Sequence, residues 1–183
     1  MSTWFKNLSI FSLDSFWKIT PAQIEEKLGK HPLLPCSAAA MQSQGWVAPH
    51  ASSGMVYSQG KQLLLSLGTQ QRLLPAAVIN QAVKEKAEAL QKQQGFAPGR
   101  KQLRDLKDRV TDELRPRAFV RERSLRAWLD LEKHRLVVDS SSPKAAENLA
   151  SVLRNDLGEF PAIPLDTEEP AAAAMTGWLS AGS

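Results

Sequence analysis

The chain has 183 residues, 43% of them hydrophobic, enough to bury one sizeable core or two small ones that share a boundary. No run approaches the roughly 18 uninterrupted apolar residues of a membrane-spanning helix, and no charged-then-apolar leader opens the chain, so a cytosolic protein with no membrane partner is expected. One cysteine, Cys36, and three scattered histidines, His31, His50 and His134, have neither disulfide nor metal-ligand spacing, which points away from redox chemistry, zinc or another cofactor. Cys36 reads as a small buried residue.

In chain order, the run from Trp4 to Leu13 reads as a buried first strand. Thr20, Pro21 and Gln23 form a capping-box signature that starts a helix running to about Gly29. The Pro-rich stretch from His31 to Gly54 reads mostly as loop, with a short extended piece at Gly45 to Val47. Met55–Ser58 and Gln62–Leu67 read as strands of a hairpin turning at Gly60. Ile79, Val83, Ala87 and Leu90 mark a helix from about Pro75 to Gln94, closed by Gly95. A second helix from about Arg100 to Leu114 carries the stripe Leu103, Leu106, Val110 and Leu114, so the pair reads as an antiparallel helical hairpin. Beyond Pro116 two strands are expected on either side of a turn at Lys133-His134. A helix capped by Ser142 follows, with Ala146, Leu149, Ala150 and Leu153 on its buried face up to Gly158. A strand near Pro161, a loop and a short helical piece at Met175 to Leu179 complete the reading. The class is α+β: a mainly antiparallel sheet, a projecting helical hairpin and a following β-β-α unit. The organisation is an N-terminal portion at 1–74, the hairpin at 75–115 and the β-β-α portion at 116–183.

The net charge of +4 is modest, but its distribution is uneven. From Lys84 to Arg126 there are 13 Lys or Arg against 7 Asp or Glu, a balance of +6, leaving 10 against 12 elsewhere, a balance of −2. On the second helix of the hairpin Arg100, Arg104 and Lys107 share one flank of the apolar stripe, whereas Asp105, Asp108 and Asp112 lie on the far side with Lys101. A line of cations suits duplex DNA, where each paired phosphate releases condensed counterions. Ordinary i,i+4 pairing, Arg104 with Asp108 and Asp105 with Arg109, is the competing reading.

Strand alternation after the hairpin sends Arg117, Phe119, Arg121 and Arg123 to one face. Three like charges side by side are unfavourable in a sheet unless a polyanion or carboxylates face them. Phe119 among them fits a base-stacking or wedge residue, a cation–π partner, an anchor in another subunit, or a core residue. The pattern alone leaves these open.

Ordered, dispersed motifs run along the whole chain: WFKNL at Trp4–Leu8, LPC at Leu34–Cys36, GWV at Gly45–Val47, LLP at Leu73–Pro75, VI at Val78–Ile79 and PRAF at Pro116–Phe119. The Trp128/Asp130 pair, KAAE at Lys144–Glu147, LR at Leu153–Arg154 and PAIPL at Pro161–Leu165 continue the series, and in this order and spacing the set resembles the bacterial RdgC family. The resemblance implies a nucleoid-associated protein that binds double-stranded DNA with little sequence preference and restrains the recombinase RecA by occupying its DNA. It implies a ring-shaped homodimer in which Phe119 plugs a pocket of the other subunit beside Arg117. Family chains are longer than this one, and the C-terminal part, with more basic surface and much of the second interface, is expected to be absent. Ring closure by this chain alone is therefore not implied.

Asp130, Glu132 and Asp139 lie near strands as nuclease carboxylates do, but no lysine motif or histidine cluster completes a site, and there is no Gly-rich phosphate loop, so no enzyme is expected. Trp4, Trp17, Trp46, Trp128 and Trp178 read as core or interface residues rather than base platforms. Two alternatives to DNA binding stand: a protein-interaction adaptor using the helical hairpin and Phe119, and an RNA-binding protein.

Overall fold

A computed structural model describes residues 5–165 and 171–181. In chain order the elements are β1 (Leu8–Leu13), α1 (Pro21–Leu28), β2 (Gln42–Trp46), β3 (Val56–Gln59), β4 (Gln62–Leu73), α2 (Ala76–Gln94) and α3 (Arg100–Leu114). A 3₁₀ turn (Arg115–Arg117), β5 (Phe119–Asp130), β6 (Arg135–Asp139), α4 (Pro143–Leu157), β7 (Ala162–Pro164) and α5 (Ala171–Ala181) follow. The class is α+β, and the β1–β6, β1–β7, β2–β4, β3–β4 and β5–β6 ladders are all antiparallel. The chain divides into two compact units, one drawn from Met1–Lys30, Ala48–Ser66 and Leu125–Ser183, the other from His31–Val47 and Leu67–Ser124. Strands β4 and β5 each contribute one part to either unit.

In the first unit the strand order is β3, β4, β5, β6, β1, β7. One sheet face is covered by α1 and α4. Phe11, Leu13, Leu65, Leu129, Leu136 and Val138 point into that core, where α1 adds Ile24 and Leu28 and α4 adds Leu149, Leu153 and Leu157. Each such side chain stabilises the fold by roughly 1.5–3 kcal/mol relative to exposure. The capping box at α1 forms: the Gln23 amide donates to Thr20 Oγ1 at 3.3 Å and the Thr20 amide to Gln23 Oε1 at 2.9 Å. At α4 the Ala145 amide donates to Ser142 Oγ at 3.4 Å. Glu25, on α1, accepts from the amides of Met55 and Val56 at 2.8 and 2.7 Å, which fixes where β3 begins.

In the second unit β2 pairs with the far half of β4, and Gly45 faces Gly68 across the ladder. A Cβ on Gly45 would meet the backbone of Pro32 and Leu33 at 2.5 Å, so only glycine allows the 31–33 segment to lie against Trp46. The helical hairpin forms as expected: Lys86 of α2 pairs with Glu113 of α3, and Gln102 Nε2 lies 3.5 Å from Gln94 Oε1. Gly95 closes α2 in the left-handed region at φ 79°. Val110 is the buried member of the α3 stripe, Leu106 and Leu114 are half-buried and Leu103 is exposed. None of the residues of α2 is fully buried.

Arg72 is the centre of this unit. The residue is 9% exposed, and its guanidinium donates to five main-chain carbonyls: Ala40 at 3.2 Å from Nε, Arg115 and Pro116 at 2.9 and 3.3 Å from Nη1, and Cys36 and Ser37 at 3.1 and 3.2 Å from Nη2. Five donors thus meet five acceptors, which satisfies the fork.

Several boundaries differ from the sequence reading. β1 begins at Leu8, and the Trp4 end of the expected strand lies outside the described residues. β2 starts at Gln42 and β4 continues to Leu73, because polar residues there are held by ladder partners rather than by an apolar face. α5 is longer than the expected helical piece. Arg117 is not on a strand: it ends the 3₁₀ turn, closed by the Ala118 amide on Arg115 O at 3.2 Å, and the ladder starts at Phe119. Pro116 fits such a turn through its fixed φ.

Replacing Arg72 with Met leaves these carbonyls short of donors and should lower unfolding free energy by about 2–4 kcal/mol, with Arg72→Lys falling between because an ammonium cannot reproduce the fork. Urea unfolding of the three proteins checks this; equal midpoints would remove Arg72 from its central role.

Candidate nucleic-acid interface

The second unit contains the charge imbalance. Its segments hold 13 Lys or Arg against 7 Asp or Glu, a balance of +6, while the rest of the chain holds 10 against 12. Arg100, Arg104 and Lys107 are all exposed on α3, whose boundaries keep them on one flank. Among the described residues, none of Arg100, Arg104, Lys107, Arg117, Arg121 and Arg123 joins an ion pair. The cations that do are Lys86 with Glu113 and, at 2.8 Å, Arg115 with Asp112. The i,i+4 neutralisation weighed for α3 therefore does not form between Arg104 and Asp108 or between Asp105 and Arg109.

Strand β5 exposes every residue from Phe119 to Ser124, so this half of the strand buries neither face. Alternation places Phe119, Arg121 and Arg123 together, with neighbouring members about 7 Å apart. Arg117 lies in the 3₁₀ turn, outside the ladder, so strand alternation does not by itself assign it to the Phe119 face. Glu122 lies on the opposite face and accepts from Gln70 Nε2, so it does not offset its arginine neighbours on their own side. Phe119 is 84% exposed, which removes core packing from its possible roles. A cavity of about 310 Å³ beside Arg123 is lined by Leu33, Val47, Gly68, Glu122 and Ser124.

Sequence reasoning missed Arg72, which resembles any other cation until its burial is known. It fixes Arg115 O and Pro116 O and thereby sets where β5 starts.

The carboxylates weighed as nuclease ligands have other work. Asp130 Oδ1 accepts from the amides of Glu132 and Lys133 at 2.9 and 2.8 Å. Asp139 accepts from Lys6 and Asn7 amides at 2.9 and 3.3 Å and from Arg126 Nη2 at 3.0 Å. In both, burial pushes the carboxyl upward. At Asp130 the Lys133 amide, Gln62 and the Glu132 amide outweigh it; at Asp139 the Lys6 and Asn7 amides and Arg126 do so, and both groups end below the ordinary aspartate range. Among the described residues no group of three or more His, Cys, Asp or Glu side chains is arranged to hold a metal. The tryptophans divide: Trp46 is fully buried, Trp17 stacks edge-on against Phe160 at 5.1 Å, and Trp128 and Trp178 are exposed, while Trp4 lies outside the described residues.

This is an α+β protein whose smaller unit exposes cations on α3 and β5 that join no ion pair among the described residues, with an outward phenylalanine at the start of β5. Residues 3–183 match the family model described as "Putative exonuclease, RdgC". The chain is 45% identical over 179 residues to the "Recombination-associated protein RdgC" of Dechloromonas aromatica (strain RCB), covering 98% of this chain and 59% of that protein. It is 47% identical to the one from Herminiimonas arsenicoxydans, over 96% and 59% of the two chains, and 44% identical to that of Janthinobacterium sp. (strain Marseille), over 97% and 59%. The chain belongs to the RdgC family of recombination-associated proteins, and it spans about three fifths of the length of these curated relatives.

Two outcomes are expected. Because the folded-state values of Asp130 and Asp139 are depressed, their stabilisation is complete above the unfolded aspartate value of about 3.9 and is lost as pH falls through the folded values. Thermal melts between about pH 2 and pH 7 should show stability falling below about pH 4, and Asp139→Asn should lower stability at neutral pH while flattening that acid limb. At concentrations where the chain is monomeric, Phe119→Ala should leave the unfolding free energy from urea titration within about 0.5 kcal/mol of wild type, since an exposed ring contributes little to the fold; a larger loss would mean the ring packs within its own chain.

Proposed function

We propose that this protein binds double-stranded DNA without sequence preference and takes part in recombination by occupying DNA that the recombinase RecA would otherwise use. The observation that carries this reading is the unpaired cationic surface of the second unit: Arg121 and Arg123 on the doubly exposed half of β5, Arg117 at its entry, and Arg100, Arg104 and Lys107 along α3. Like charges without carboxylate partners favour a polyanion, and contacts to phosphate carry no sequence information. Nucleoid association follows from the same contacts. Phe119 serves as an anchor in a second subunit of a homodimer, with Arg117 beside it, because an exposed ring amid guanidiniums gains most by burial against a partner.

We read the role as non-catalytic. Asp130 and Asp139 are held by backbone amides, an arrangement that positions turns rather than metal ions. The adaptor and RNA-binding alternatives differ in salt response and in competition. An aromatic-anchored protein contact responds weakly to salt, and an RNA binder prefers RNA over duplex DNA in direct competition.

Duplex affinity against salt is the test. Six phosphate contacts give a log–log slope of about −5, and the Arg117→Ala, Arg121→Ala, Arg123→Ala triple variant should shift it to about −3 with weaker binding. Fluorescence anisotropy on duplexes of unrelated sequence measures both. A wild-type slope near zero, or a triple variant indistinguishable from wild type, would overturn the assignment.

A further inference from the structure

The first unit has a sheet face that the DNA-binding reading does not use. Phe11 and Leu13 point to the side covered by α1 and α4, so Leu8 and Ile10 point to the other. Register carries that open face across the sheet: Ile10 pairs with Val137, and Val137 with Trp128. A groove of about 630 Å³ lies there, floored by Leu8, Ile10, Leu64, Trp128 and Val137, and its volume falls in the range of small-molecule sites. A solvated sheet face normally carries polar residues. Here Leu8 is 58% exposed and Trp128 40%.

The two ends of the groove differ in charge. At one end Arg126 is matched, with its Nη2 3.0 Å from Asp139 Oδ2 and its guanidinium 5.3 Å from the centre of the Phe5 ring. At the other end Lys133 and Arg135 line the groove beside Asp130. Asp130 is 2% exposed, and its Oδ1 already accepts from two backbone amides. Lys133 and Arg135 are exposed and join no ion pair among the described residues. Two cations thus stand against one buried carboxylate, which leaves this end with a surplus of a single positive charge. Between the ends Trp128 is held in the floor, its Nε1 donating to Gln62 Oε1 at 2.5 Å.

Size selects the kind of occupant. At about 200 Å² for a large side chain, the exposed fractions of Leu8 and Trp128, with half-buried Ile10 and Leu64, present on the order of 300 Å² of apolar surface. That is well below the roughly 800 Å² that each partner contributes to a stable protein interface. Arg126 and Asp130, which mark the two ends on β5, are separated by about 13 Å at roughly 3.3 Å per residue. One extended acyl chain covers that distance, and a monoanionic head matches the surplus at the Lys133 end.

We propose that this groove binds a small amphipathic anion, an acyl carboxylate whose head meets Lys133 and Arg135 and whose chain lies along Trp128 and Ile10 toward Leu8. The fork of Arg135 suits a carboxylate, and the apolar floor gives the chain a surface that water covers poorly. The inference does not rest on DNA binding, and it uses none of the cations of α3 or of the exposed half of β5.

Isothermal titration calorimetry with dodecanoate tests this. The chain should bind one dodecanoate with a Kd on the order of 100 µM, an ordinary affinity for a ligand of this size. Octanoate, with a shorter chain, should bind at least about 10-fold more weakly. Dodecyltrimethylammonium, with the same chain and the opposite charge, should lose a similar factor. The double variant Lys133→Gln, Arg135→Gln alters only exposed side chains and should weaken dodecanoate binding about 10-fold. Leu8→Asp, which puts a like charge in the floor, should abolish it, and circular dichroism confirms that each variant folds. The change in tryptophan emission caused by dodecanoate should disappear in Trp128→Phe. The proposal is overturned by the absence of binding at about 1 mM, ten times the expected Kd, or by equal binding of the cationic amphiphile. It is equally overturned by folded groove variants that bind dodecanoate as wild type does, or by an emission change that survives Trp128→Phe.

Discussion

A guanidinium removed from water must replace its hydration completely, and in the smaller unit Arg72 does so with main-chain carbonyls instead of a carboxylate. The consequence is structural reach. Carbonyls of Cys36, Ser37 and Ala40 come from the loop before β2, and those of Arg115 and Pro116 come from the end of the helical hairpin. One side chain on β4 therefore ties together three stretches that are far apart in sequence. The carbonyl of Arg115, at the C-terminal end of α3, is also where the helix dipole is negative, so a cation is favourable there beyond its hydrogen bonds. Apolar packing is thin in this unit, with α2 burying no residue completely, which makes a saturated polar centre more consequential than it would be in a leucine core.

That centre acts on the cationic surface at one remove. By fixing Arg115 O and Pro116 O it fixes the 3₁₀ turn, and the turn sets the residue at which β5 enters its ladder. Phe119, Arg121 and Arg123 share a face because they alternate along the strand that begins at Phe119. The exposed half of β5 has no apolar contact to set its register, so position is imposed from its entry and from Gln70 on Glu122. A strand built this way tolerates like charges that a packed sheet would reject, since backbone ladders hold it while the side chains remain in water.

Much of the fold was legible because its signals are local. Thr20 with Gln23, Gly95 at a left-handed C-cap and Ser142 before Pro143 each act over a few residues, and the helices they bound occur where those residues stand. The buried face of α4 followed from periodicity alone. Long-range effects were not legible. Gln70 and Gln71 have no strand character by composition, yet they lie in β4 because β2 pairs with them, and β2 can approach because Gly45 lets the 31–33 segment close in. Arg117 was placed on a strand because alternation extends backward as easily as forward, whereas Pro116 and the hold of Arg72 stop it. Exposure of Phe119 could not be read either: a phenylalanine between arginines looks the same whether buried or presented.

Two kinds of surface are thus present, and their physics separates them. The cations of the smaller unit interact over a Debye length of about 8 Å at physiological ionic strength, and their contacts weaken as salt rises. The groove floor on the open sheet face of the larger unit carries mostly apolar atoms, whose burial is insensitive to moderate salt and strengthened by salting-out ions such as sulfate. A single titration of ionic strength therefore acts on one surface far more than on the other.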